Sequence, residues 1–374
     1  MIVLHTPSMV SAGIVAILAF SVSLVFGGPV FAQSGGAFQI DHIAVDVTAE
    51  SAAKARERAR SEAEQRAFRL LMERITLRVD WPRLPVPSRD DIAAYIRDFA
   101  MSEEKTSAVR YIADLGFRFK SEDIRTLLSE MRIPFAETIS KPVLVLPVYQ
   151  SAGSQLLWDD PNPWRTAWAK REVKPGLVPL ILPIGDLTDI GLIGAEQAIG
   201  GDDARLRAIA ARYKAGDTIV AQCARRIAPD TGATILEVSV TRFGSALREQ
   251  TLVKSFEAGA DESPEALLGR AAEEIVLDIE DNWKRDNLIQ AGVDNVVAVT
   301  ARIDGLKSWL EMRKRLESVA VIRTIDLRLI SKTEARMNIY FTGVPEQLAL
   351  AMEQADLGLL SAGSHWVLTS EATR

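Results

Sequence analysis

Apolar and polar residues change period several times along this chain, and each change marks an element. Residues 38–48 alternate, with Ile43, Val45 and Val47 on one side and Ile40, His42 and Ala44 on the other, the two-residue period of a strand. The period then lengthens: Ala55, Ala59, Ala63, Ala67, Leu71 and Ile75 recur every four residues. Residues 52–77 are therefore expected to form a helix whose narrow face of small side chains can lie close to a sheet or another helix. The stretch WPRLPVP (81–87) cannot be helix, because proline removes donors and restrains the residue before it. Ser88 opens a short helix as N-cap, with Asp90 and Asp91 in its positive first turn. A strand over 109–119 and a helix over 121–131, capped by Ser121, complete a first domain of mixed strands and helices at 38–138.

Two short apolar runs, 143–148 and 177–184, follow. Each is rich in Val, Ile and Leu and bounded by turn residues, the pattern of strands covered on both faces. Between them three tryptophans fall within eleven residues. Asn162 can cap a helix with Pro163 at its first position, which sets Trp164 and Trp168 on one face. A helix over 204–214 is expected to end near Gly216. Strands 218–226 and 234–243 flank the turn APDTGA as a hairpin, and 249–256 can add a third. Ser263 caps a helix that starts at Pro264 and runs to 288. The middle domain is thus α/β over 141–290. The last 80 residues read strand 295–303, helix 306–318, strands 321–330 and 335–342, helix 345–356 and strand 364–369. That βαββαβ order is the ferredoxin-like arrangement, placed at 292–370. The expected fold is multidomain, α/β and α+β.

The composition is ordinary globular material: 374 residues, 48% hydrophobic and 25% charged, enough for two or three domains. A net charge of -6 argues against nucleic acid as a partner, since phosphate binding needs clustered Lys and Arg. Residues 1–32 carry no charged side chain, and 10–26 are mostly apolar. Val30 and Ala32 occupy the small-residue positions ahead of Gln33 that signal peptidase reads, so 1–32 is expected to be a signal peptide cleaved after Ala32. A retained anchor is the alternative, the apolar stretch being close to the ~18 residues needed to span a bilayer. With cleavage, the protein belongs in the periplasm and meets the membrane only transiently. Cys223 is the sole cysteine, which rules out an intramolecular disulfide.

Motifs that would name a reaction are missing. After the signal segment the only histidines are His42 and His365, each in an expected strand, and no nucleophile elbow, zinc motif or phosphate loop occurs. GLIGAEQAIGGDD (191–203) has carboxylates where a phosphate loop would carry lysine. Those carboxylates, with Asp186 and Asp189, are hard-cation ligands by type, but their spacing matches no metal motif. The expectation is no catalytic residue, no metal and no cofactor. What remains is a candidate surface at 156–189, where Trp158, Asp160, Trp164, Trp168, Asp186 and Asp189 can present rings and carboxylates to a sugar or peptide. The alternative for Trp164 and Trp168 is packing at the end of the sheet. A second candidate surface is the uncovered face of the last sheet, with Arg328, Asn338 and Tyr340.

The phrases SAAKARERARSEAEQRAFRLLMERIT, YIRDFAMSEEKTSAVRYIADLGFRF, IPFAETISKPVLVLPVY, WRTAWAKRE and LILPIGDLTDI, in this order, resemble an exported proteobacterial family, domain-of-unknown-function family twenty sixty-six. The resemblance covers about 40–260 and implies no activity or catalytic residue. In architecture alone, the middle domain also resembles small envelope modules such as the amino-terminal domain of TolB. The expected function is a non-enzymatic envelope interaction or assembly factor with a protein partner. The alternative is a glycan- or peptide-binding or hydrolytic protein using 156–189. If cleavage follows Ala32, mass spectrometry of the native protein will find Gln33 at its amino terminus; a chain that keeps earlier residues refutes this.

Overall fold

Three sheets organise the chain in the computed structural model, which describes residues 36–151, 153–230, 232–244, 250–289, 294–362 and 365–370. The expected signal segment 1–32 lies outside the described residues. In the first sheet, β1 (Gln39–Thr48), β2 (Ile96–Thr106) and β3 (Arg110–Phe119) run antiparallel in the order β1-β3-β2. Helix α1 (Ala52–Ile75) lies across it. Ala55, Ala59, Ala63 and Ala67 have no exposed surface, so the backbone of α1 comes close to β1 and β3. The simple alternation expected for β1 is broken. Ile40 pairs with Phe117 and Ile43 with Leu115, leaving Asp41 and His42 as a bulge, with His42 at φ 61°. Gly116 faces the bulge, and a Cβ there would stand 2.7 Å from Asp41 Oδ1. The extra residue turns Ile40 onto the same buried face as Ile43, Val45 and Val47.

Other departures in this region are local. Residues Arg78–Arg83 make a 3₁₀ helix that includes Pro82, where no helix was expected; two 3₁₀ turns need few amide donors, so proline fits. Ser88 caps α2 (Arg89–Tyr95) reciprocally with Asp91, as its sequence implies. Ser121 is instead the first residue of α3 (Ser121–Glu130), whose cap, Lys120, makes no side-chain bond to the helix amides. Strand β2 was not anticipated because it is an edge strand with nearly every side chain exposed, and burial imposes no alternation on it.

The second sheet contains β4 (Val143–Ser151), β5 (Ser154–Leu156) and β6 (Leu180–Ile181). It continues through β7 (Asp217–Ile227), β8 (Thr234–Phe243) and β9 (Gln250–Glu257) in the order β5-β4-β7-β8-β9, with β6 beside β4. Residues Val143–Tyr149 are buried on both faces, which accounts for the unbroken apolar run. On one side lie α4 (Pro163–Lys170) and α8 (Pro264–Asp286). On the other lie α5 (Leu187–Leu192), α6 (Ala195–Ile199) and α7 (Asp203–Arg212) over a smaller cluster including Leu146, Leu206 and Ile209. The expected strand 177–184 shrinks to β6, since Pro179 and Pro183 remove ladder donors on either side of it. Gly216 does not end α7; Lys214, at φ 52°, takes the left-handed position two residues earlier.

The third sheet holds β10 (Asp294–Arg302), β11 (Ile322–Ile330) and β12 (Glu334–Thr342), followed by β13 (Leu357–Ala362) and β14 (His365–Ser370). Helix α9 (Gly305–Glu317) links β10 to β11, and α10 (Pro345–Gln354) links β12 to β13. The strand order is β11-β12-β10-β14-β13. Strand β13 was not expected; Asp356 turns at φ 56° and sends the chain into it, and β14 then inserts parallel to β10. One continuous apolar core reaches all three sheets.

Helix α8 gathers the polar contacts between these layers. The Glu280 carboxylate accepts the amides of Leu177 (3.0 Å) and Val178 (2.9 Å). Lys284, buried, donates to the Glu73 and Thr76 carbonyls at the end of α1 (2.8 and 2.9 Å). Trp283 Nε1 donates to the Thr138 carbonyl (2.7 Å), and Asp281 accepts the Arg78 amide (3.1 Å). Burial pushes the Glu280 carboxyl up and the Lys284 ammonium down from their ordinary ranges. A Cβ at Gly176 would collide with the Glu280 carboxylate. Glu280→Ala should therefore cost on the order of 2–4 kcal/mol by orphaning two amides and removing the negative charge that favours the buried Lys284 ammonium, and Gly176→Ala should also destabilise. Denaturant melts that leave both variants at wild-type stability would disprove the assignment.

Candidate functional site

The tryptophan stretch folds as its caps dictate. Asn162 Oδ1 accepts the Arg165 amide at 2.9 Å, Pro163 opens α4, and Trp164 and Trp168 project from one face. Both rings are buried, edge to face with centroids 5.8 Å apart, and Trp164 Nε1 donates to the Ala221 carbonyl of β7 at 2.9 Å. Neither ring offers a free face on which a sugar could stack. Trp158 is half-buried; its Nε1 donates to the Ile193 carbonyl at 2.7 Å, with the Arg165 guanidinium 5.8 Å from the ring centre. Asp160 is exposed on a groove of about 770 Å³ between α4 and α8, with Lys170, Arg171, Glu265 and Glu273. Trp158, Asp186 and Asp189 lie outside that lining, so the 156–189 residues are not gathered into one cleft.

Asp186 and Asp189 have a different task. Asp186 caps α5 by accepting the Thr188 and Asp189 amides (3.0 Å each), and it pairs with Arg212 at 2.6 Å. Asp189, fully buried, accepts from Arg212 Nη1 (2.6 Å), the Tyr213 hydroxyl (2.6 Å) and the Gly185 amide (2.8 Å). The Arg212 hydrogen bond and two amides hold the Asp186 carboxyl well below its usual range. Burial and the bond to Asp189 push the Tyr213 hydroxyl up. With its acceptors this fully engaged, the cluster works as a clamp for the 184–192 turn. Burial likewise raises the Cys223 thiol to about 12, leaving little thiolate near neutral pH. Among the described residues no three His, Cys, Asp or Glu side chains are gathered as a metal site requires.

Among the described residues, the carboxy-terminal sheet is covered on one face only. Trp309, Met312 and Leu316 of α9 and Leu348 and Met352 of α10 are buried in the core with Met337, Ile339 and Phe341. The opposite face carries Asp326 beside Asn338, Asn338 beside Ala298, and Tyr340 beside Val296. Arg328 joins them, ion-paired with Asp326 at 2.8 Å. Tyr340 and Val296 are exposed. The structure therefore places Arg328, Asn338 and Tyr340 on one open face. Its boundary departs from the simple two-residue alternation of a strand. Leu327 pairs with Met337 but Leu329 with Arg336, so Arg328 is the extra residue of a bulge and Leu329 turns outward from the apolar set.

Sequence reasoning missed the polar joint behind this sheet. Glu137, buried, pairs with Arg125 (2.9 Å) and with Arg323 of β11 (3.2 Å). Arg323 lies 186 residues from Glu137, and the one local signal is a carboxylate within the apolar stretch 133–139. No helix among the described residues is long and apolar enough to cross a membrane.

Because both rings are core, Trp164→Ala and Trp168→Ala should each cost about 3–5 kcal/mol. Thermal melts with almost no shift would instead show that the rings are dispensable for packing.

No family model matches the chain, and no curated protein does. Among solved structures it is similar to the lipoprotein GNA1162 from Neisseria meningitidis, at 15% identity over 37% of this chain and 97% of that one; the TM-score of 0.25 is too low to argue from.

Proposed function

We propose that this protein is an exported, non-enzymatic factor of the cell envelope that holds a protein partner on its carboxy-terminal sheet. The observation that carries the reading is the open face of that sheet, where Tyr340 and Val296 lie exposed among Arg328, Asp326 and Asn338. An aromatic and an arginine on an otherwise uncovered sheet suit the centre of a protein contact. The uncharged, apolar residues 1–32 with their small-residue cleavage site support export. On this reading the third sheet is a ferredoxin-like module with one added strand, and the chain is a relative of domain-of-unknown-function family twenty sixty-six.

A second reading, binding of a glycan or peptide beside 156–172, draws on one observation, the open groove where Asp160 and Arg171 meet Glu265 and Glu273. Affinity capture from intact envelopes separates the two. Arg328→Glu combined with Tyr340→Ala should reduce recovery of the partner about tenfold or more while thermal stability holds. Equal recovery with the double variant, or loss with Asp160→Ala and Arg171→Ala instead, overturns the first reading.

A further inference from the structure

Strand β11 is the edge of the carboxy-terminal sheet, so its outer side has no strand partner among the described residues. Along it runs a groove of about 390 Å³, walled by Trp309, Arg313 and Glu317 of α9 and floored by Ile322, Ile325 and Leu327. Leu327, Leu329 and Ile330 are 40%, 46% and 45% exposed. A long edge with exposed apolar side chains invites another strand unless something blunts it. Here the bulges at Ile322/Thr324 and Leu327/Leu329 leave Thr324–Leu327 as the longest run in regular register. That run is long enough for a short added strand and too short for open-ended pairing. Charge narrows the occupant further. Residues 305–332 hold seven Lys or Arg against three carboxylates. Arg313 is paired with Glu317 (2.8 Å), Arg323 with Glu137 and Arg328 with Asp326. The excess of positive charge along this edge therefore comes from Lys307, Lys314, Arg315 and Lys332, and an acidic strand would compete with Glu317 for Arg313.

We infer that this edge takes an extended acidic peptide of the partner protein, added as a strand beside β11 with its apolar side chains in the α9 groove and its carboxylates toward Arg313. Backbone hydrogen bonds to the edge supply affinity, and the groove and its positive rim supply selectivity. The inference rests on the reading of this sheet as a protein-docking surface and names the chemistry of what docks.

The test uses the full mature chain and a fluorescein-labelled peptide alternating Val and Glu, of about six residues to cover the regular run Thr324–Leu327 with one residue beyond each end. Fluorescence anisotropy should show binding that weakens with added salt and falls about tenfold or more when Lys replaces Glu in the peptide. Leu327→Asp and Arg313→Glu should each weaken it about tenfold, while Tyr340→Ala leaves it unchanged. Arg313 is exposed and, among the described residues, pairs only with the equally exposed Glu317 of its own helix, so its variant stays informative if Leu327→Asp misfolds. No binding, equal binding of the basic peptide, or indifference to both edge variants overturns the inference. If it fails while partner capture still depends on Tyr340, the edge assignment falls and the docking role of the open face stands; if capture is also insensitive, both fall. Sedimentation showing a dimer abolished by Leu327→Asp, with no peptide bound, would overturn it in favour of a second copy.

Discussion

The Glu280 carboxylate, held on α8 against the amides of Leu177 and Val178, is the contact on which the layered packing depends. Around it sit Lys284, which satisfies the last carbonyls of α1, and Arg74, which donates to the Gly176 and Gln39 carbonyls at 3.1 and 2.8 Å. Withdrawing these charges from water is unfavourable, as the direction of their titration shifts records. The cost is offset because each charge meets a partner whose own alternative is an unsatisfied backbone group. One helix therefore fixes where the first layer ends and where the segment before β6 crosses the second sheet. Apolar burial alone would have left that placement free to slide, since it has no direction.

The third sheet is joined to the rest by the same device. Arg323 reaches the buried Glu137, and Lys141 pairs with Asp356 at 2.8 Å. The Phe135–Ile289 bridge and the bond from Gln347 to the Leu288 carbonyl, at 2.7 Å, lie beside them. These contacts seat the sheet with its α9 and α10 face in the core. Its other face and its β11 edge are left outward, so the joint that anchors the module also decides which surfaces remain available.

The candidate surfaces were legible to different degrees. Arg328, Asn338 and Tyr340 were found because a strand shows only two sides, and a polar side opposite an apolar one can be read from spacing. Trp164 and Trp168 could be placed on one helical face but not assigned to core or surface, since that depends on β7 and α8, which lie 50 or more residues away. Asp186 and Asp189 look like ligands in one dimension. Only the arrival of Arg212 and Tyr213 from α7 shows that their oxygens are already occupied.

The sequence by itself determined the local elements: the alanine face of α1, the Ser88 and Asn162 caps, the β7–β8 hairpin and the doubly buried β4. Each rests on backbone geometry or on period, properties of neighbouring residues. Only the tertiary structure decided the bulges in β1 and β11, the edge strand β2, the part of the shortening of 177–184 that Pro179 and Pro183 do not impose, and the insertion of β14 between β10 and β13. In every one of these, a hydrogen-bond partner or a steric limit is supplied by residues distant in the chain. Gly116 admits the bulge of β1, and Glu280 captures the amides of Leu177 and Val178 that a ladder would otherwise have used.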